Sequence, residues 1–233
     1  MAPRRPKAAG VAAVRTPAGH RPVLVTGFEP FGGEDTNPSW EICRALPGAI
    51  GHARIHTLRV PTEFRRAIEV VAAAIEEFEP AVVILLGQAG GRACVSVERV
   101  AINVDDARIP DNAGLQPIDE PIAASGPPAY FATVPVKAML AAIREAGVPA
   151  EVSNSAGTFV CNHLFYGTLH YLAASGRDAR SGFIHVPWLE SQAIARPGEP
   201  AMALATMVRG VEAAIAAALA TAEDVRMAAG QLD

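Results

Sequence analysis

The sequence predicts an α/β protein, a single-domain three-layer αβα sandwich around a mixed, mostly parallel central sheet. Three observations predict it. Short apolar runs such as 81-AVVILL-86 are apolar on both faces, as strands covered from two sides must be. Stretches with helical apolar spacing alternate with those runs. Half of the 233 residues are apolar, enough to bury one substantial core.

The elements follow in order. Residues 22-PVLVTG-27 read as a buried strand, followed by the Gly-rich loop 28-FEPFGGEDT-36. A helix is expected over 37–46, with Asn37 as N-cap and Pro38 at its first position. The run ARIHTLRV, ending at Val60, reads as a second strand. Residues 63–78 carry helical spacing at Phe64, Ile68, Val71 and Ile75, and 81–87 form the third strand. Residues 94–104 are rich in β-formers and read as one strand, and 105–128 as a loop dense in Pro, Asp, Asn and Gly. Helices are expected over 136–146, 161–174 and 200–220, with strands at 150–153 and 182–186. Residues 1–21 carry five basic and no acidic side chains and little apolar surface, so they read as a disordered basic tail before a domain over 22–225.

Composition excludes several classes. The net charge of -4 offers no basic field for nucleic acid or anionic lipid. No apolar run is long enough to span a bilayer. Three cysteines, with no CxxC pair, argue against a disulfide framework or a zinc ribbon and for a reducing, cytoplasmic setting.

Four unusual stretches fall where the carboxyl ends of strands are expected: 27-GFEPFGG-33, 87-GQAGGR-92, 156-AGTFVCNH-163 and 185-HVPW-188. Cys161 follows a small-residue turn and opens a helix, where N–H groups and the helix dipole would favour a thiolate and could hold an oxyanion. A buried structural cysteine is the alternative, and packing explains Cys43 and Cys94 better. A cysteine nucleophile needs an imidazole. Of six histidines, His185 ends an apolar strand and suits that place, although a core histidine would read alike. His163, two residues beyond Cys161, should point elsewhere. Glu98 is a carboxylate in an otherwise apolar stretch. It could orient the imidazole, or pair structurally with Arg99 or Arg108. Phe28, Phe31 and Phe159 would suit a flat, uncharged group or simply the core. Neither Gly-rich loop matches a phosphate-binding pattern.

The segments 25-VTGFEPFGG-33, 37-NPSWE-41, 87-GQAGGR-92, 98-ERVAINVDDARIPDN-112, 157-GTFVCNHLFYG-167 and 182-GFIHVP-187, in this order, resemble the type I pyroglutamyl peptidases (pyrrolidone carboxylate peptidases), a family of cysteine peptidases. The resemblance implies Cys161 as nucleophile, His185 as base and Glu98 as third member. It implies a pyroglutamyl pocket of Phe28, Phe31, Gln88, Ile109, Phe159 and Val160 with Thr62 nearby, and Arg108 as an active-site arginine. It further implies a fold similar to purine nucleoside phosphorylases, N-terminally pyroglutamylated peptides as substrates, no metal or cofactor, and a homo-oligomer, dimer or tetramer. Two other classes stand beside this one: a nucleoside phosphorylase-like enzyme, and a non-catalytic binder of lactam or pyroglutamyl ligands.

Overall fold

The computed structural model describes residues 21–230. The expected tail, apart from Arg21, lies outside the described residues. Arg21 donates to the Glu79 and Pro80 carbonyls at 3.0 and 2.6 Å.

The strands are β1 (Val23–Phe28), β2 (Ala49–Ile50), β3 (Ala53–Val60), β4 (Val82–Gln88), β5 (Val95–Glu98), β6 (Val100–Ile102), β7 (Ala129–Phe131), β8 (Ala150–Ser153) and β9 (Arg180–Val186). The helices are α1 (Pro38–Ala45), α2 (Arg66–Phe78), α3 (Val136–Glu145), α4 (Val160–Ser175), α5 (Glu190–Ala193) and α6 (Leu204–Ala220). Seven strands form one sheet in the order β2-β3-β1-β4-β9-β5-β8. Strands β3, β1, β4 and β9 run parallel, β5 runs antiparallel to β9, and β8 is parallel to β5. The sheet is therefore mixed and mostly parallel, as the apolar runs predict.

Its two faces carry separate cores. Val23, Val25, Ile84, Ile184 and Val97 pack with α1, α3 and α6. Leu24, Val83, Leu85 and Phe183 pack with α2 and α4. The alternation along β1, β4 and β9 follows from the two-residue pleat. A layer of helices on each side covers it, and apolar burial on both faces is the main stabilising term.

The differences from expectation have local causes. Helix α2 begins at Arg66 rather than Glu63, because Arg65 has φ 64, which no helix accepts. The run 94–104 is two strands. Its first part, β5, pairs with β9 and β8; after Arg99 the chain leaves that sheet, and β6 pairs with β7 in a two-stranded ribbon. Helix α6 begins at Leu204, because Ala201 and Met202 are still bridged to Trp188. The short elements β2, β7 and α5 have too few residues for a periodic signal.

Candidate active site

Three of the four unusual stretches do lie at carboxyl ends of parallel strands: Phe28 closes β1, Gln88 closes β4, and His185 is one residue from the end of β9. The fourth does not. Strand β8 runs against β9, so the turn 153–159 must bring the chain back over the sheet to start α4. Asn162 fixes that start. Its carboxamide accepts the Ile102 N–H at 3.0 Å and donates to the carbonyls of Ile102 (2.9 Å) and Val104 (3.0 Å), tying α4 to β6.

Cys161 is the second residue of α4. Its Sγ stands over Gly87, 3.0 Å from where a Cβ at Gly87 would be. Gly87 is the register partner of His185 across β4 and β9. The imidazole, on the strand beside Gly87, therefore shares the sheet face over which the thiol of α4 rests. The N-cap of α4 is Phe159, whose side chain caps nothing, so the first N–H groups of the helix are left for a ligand.

Glu98 comes from the opposite direction. In the antiparallel pairing Ser96 faces His185 and Glu98 faces Phe183, which sets Glu98 diagonally beside His185 on the same face. The His185 Nδ1–H donates to Glu98 Oε1 at 2.8 Å, and Arg92 Nη1 donates to the same oxygen at 2.7 Å. Glu98 is fully buried and His185 nearly so. The Ser153 hydroxyl, opposite Glu98 on β8, donates to the Ser155 carbonyl at 3.1 Å. The second carboxylate oxygen, Oε2, is buried with no hydrogen-bond partner among the described residues.

These contacts set the charges. Burial by itself would raise the Glu98 pKa; the hydrogen bond and charge of His185, with Ser153 and Arg92, outweigh it and hold the carboxyl below its usual range. Burial lowers the pKa of His185, against the opposing pull of Glu98. Burial and the Glu98 charge push the Cys161 thiol up to about 12. Burial here thus works against the thiolate that placement at a helix start would favour.

The expected pocket residues gather unevenly. Phe31 and Phe159 face each other with ring centroids 6.0 Å apart. Phe28 and Val160 are buried in the core layer beneath. Gln88 is buried, and its Oε1 accepts from Gln192 Nε2 at 3.1 Å. Thr62 is buried and bonded to Glu29 through its N–H and hydroxyl. Ile109 is exposed, its Cδ1 4.0 Å from a Cβ position on Gly32 in the first Gly-rich loop. Arg108 is exposed. The arginine that meets Glu98 is Arg92, neither Arg99 nor Arg108. Sequence reasoning missed Arg92 although it closes the GQAGGR stretch; a cation six residues from a buried acid was the available signal. Gln192 was also missed, because α5 carries no motif. Among the described residues no group of three or more His, Cys, Asp and Glu is placed to hold a metal, and no helix is long and apolar enough to cross a membrane.

A mixed α/β sandwich that assembles cysteine, histidine and buried glutamate on one sheet face has the arrangement of a cysteine-type peptidase. The comparisons with known proteins narrow this. The family described as pyroglutamyl peptidase matches residues 21–221. The pyrrolidone-carboxylate peptidase of Erwinia tasmaniensis is 58% identical over 209 residues, 89% of this chain and 97% of that one. That of Cupriavidus pinatubonensis is 58% identical over 214 residues, 91% of this chain and 99% of that one. Among solved structures, pyroglutamyl peptidase I of Bacillus amyloliquefaciens superimposes with a TM-score of 0.87 at 42% identity, covering 90% of this chain and all (100%) of that one. Pyrrolidone carboxyl peptidase of Thermococcus litoralis gives 0.86 at 38% identity, covering 89% and 99%. The chain belongs to the pyroglutamyl peptidase family.

Proposed function

We propose that this protein hydrolyses the bond after an N-terminal pyroglutamyl residue and releases free pyroglutamate through an acyl-enzyme on Cys161. The observation that carries this reading is the Glu98–His185 hydrogen bond beside a cysteine seated over Gly87. Because Nδ1 is committed to Glu98, the imidazole offers Nε2 to the thiol. His185 takes the thiol proton as sulfur attacks the scissile carbonyl. The uncapped N–H groups at the start of α4 receive the developing oxyanion. His185 then passes the proton to the departing amine, and the C–N bond breaks. A water molecule, losing a proton to His185, cleaves the thioester and restores the thiol.

The tilted rings of Phe31 and Phe159 suit one wall of a slot for a neutral lactam, and the family resemblance assigns Phe28, Val160, Ile109, Gln88 and Thr62 to the same pocket. A free α-ammonium would have to be desolvated there, which rejects ordinary N-termini. Arg108, exposed beside Ile109, is the arginine that the family resemblance assigns to the site. Unpaired thiols at Cys43, Cys94 and Cys161 support a cytoplasmic setting. Exposed Ile118 (70%) and Phe131 (68%) support a homo-oligomer, dimer or tetramer.

The test is a chromogenic pyroglutamyl amide beside the matching glutamyl and prolyl amides. Release from the first alone, abolished by a thiol-alkylating reagent, is expected. No release from the pyroglutamyl amide would return the chain to a non-catalytic lactam binder, or with phosphate-dependent nucleoside cleavage to a phosphorylase.

A further inference from the structure

A second histidine beside Cys161 is left idle by this chemistry. His163 is buried, its Nδ1 lies 2.8 Å from Asp105 Oδ2, and its Nε2 accepts the Arg65 N–H at 2.7 Å. A ring nitrogen that accepts a backbone N–H carries no proton. The proton is therefore on Nδ1, donated to Asp105, and the imidazole is neutral with a fixed tautomer.

The backbone it grips is unusual. Arg65 has φ 64 and ψ −54, and the Arg66 N–H bonds the Phe64 carbonyl at 2.6 Å. This is a three-residue γ-turn of the rarer, strained hand, and a non-glycine residue holds such a conformation only where surroundings impose it. Two acceptors impose it here: Asp111 Oδ2 takes the Phe64 N–H at 2.8 Å, and His163 takes that of Arg65. The turn aims the Phe64 ring. It stands edge-on to Phe159 at 5.5 Å and 90°, and to the His163 ring at 5.3 Å and 85°. Phe159 in turn faces Phe31.

We infer that His163, oriented by Asp105, is a positioning residue for substrate binding: it clamps the Phe64–Arg66 γ-turn so that Phe64 backs the Phe159 wall of the slot. The inference rests on the assignment of Phe31 and Phe159 to the lactam slot. It assigns His163 no proton transfer, so loss of the clamp loosens a binding wall and leaves the reacting atoms in place.

His163→Asn keeps a donor for Asp105 but is too short to reach Arg65. His163→Gln places an oxygen near the lost Nε2. KM for a pyroglutamyl amide should rise about 10-fold in His163→Asn while kcat changes less than about 3-fold, the pattern of lost uniform binding. His163→Gln should recover most of the rise. Iodoacetamide, which does not need the slot, should alkylate Cys161 at the unsubstituted rate in both. An unchanged KM in His163→Asn, a His163→Gln no better than it, or an alkylation rate that falls with kcat would overturn the inference. If His163→Asn does not fold, Phe64→Leu reads the same link, with a raised KM supporting it and an unchanged KM refuting it. Absence of hydrolysis by the unsubstituted enzyme would instead sink the functional reading, and the first assay detects that separately.

Discussion

The Cys161 sulfur rests directly over Gly87, and the side-chain space a larger residue would need is already filled. A Cβ on Gly87 would stand 3.0 Å from Sγ and 2.7 Å from Phe183 Cζ. Gly87→Ala should therefore displace the thiol, the Phe183 ring or both. We predict a fall in kcat/KM of about 100-fold, the scale of an ångström misplacement, with a lower melting temperature from overpacking. Steady-state kinetics on the folded variant checks this; activity within a few-fold of the parent would refute the seating of Cys161.

Only Cys161 should be required for turnover. Cys161→Ala should abolish hydrolysis while circular dichroism stays native. Burial raises all three thiols, but only Cys161 is seated over the register partner of His185, the base that can take its proton, so Cys43 and Cys94 should react slowly at neutral pH. Mass spectrometry after limited iodoacetamide treatment should find the label on Cys161, and slower labelling in His185→Ala.

The acid limb of kcat/KM should follow His185, which must be neutral to accept the thiol proton. Its pKa lies below 6.5, so activity should persist on lowering pH past that value before it fails. Glu98 raises this pKa and Arg92 lowers it. Glu98→Gln should shift the limb to lower pH and Arg92→Met to higher pH, besides any loss of rate. Shifts of the same sign would contradict the charge arrangement. The linkage has one direction: a folded-state pKa below the unfolded one gives stability present above 6.5 and lost as pH falls, so melting temperature should decline on acidification.

Glu98 and His185 should act as a unit. Glu98→Gln should lower kcat more than it raises KM, and His185→Ala should cost at least as much. In a double-mutant cycle the two losses should be far from multiplicative. Independent effects would return Glu98 to a structural partner of Arg92.

A chain beginning at Arg21 should keep its kinetic constants, since the matched family region begins there and Arg21 itself is bonded to the end of α2. A large loss of kcat in folded, shortened protein would show that the preceding segment reaches the site.

Strong periodic signals carried most of the fold. The runs that became β1, β4 and β9 are apolar because both helix layers cover them, and that shows in any window of residues. What stayed hidden depends on partners distant in sequence. The split at Arg99 follows from a change of neighbours, not from composition. The reversed direction of β5 and β8 gives no local signature either, so Cys161 was placed at the same sheet end as His185 by a wrong route. Motif resemblance named Cys161, His185 and Glu98; the structure bonds Glu98 to His185 and seats Cys161 over Gly87. Resemblance could not supply Arg92 or the shifted pKa values of the site, which arise from burial and from contacts made only when the sheet is assembled.

The diagonal seat of Glu98 beside His185 also makes activity a reporter of strand registry. Alternate residues of β5 belong to opposite helix layers, so a slip of one residue against β9 would bury Glu98 in the wrong layer. A chain that has collapsed without finding this alignment would hold a cysteine and a histidine but no oriented imidazole. Such molecules would be silent, so activity per molecule would count only the chains in which β5 has found its register.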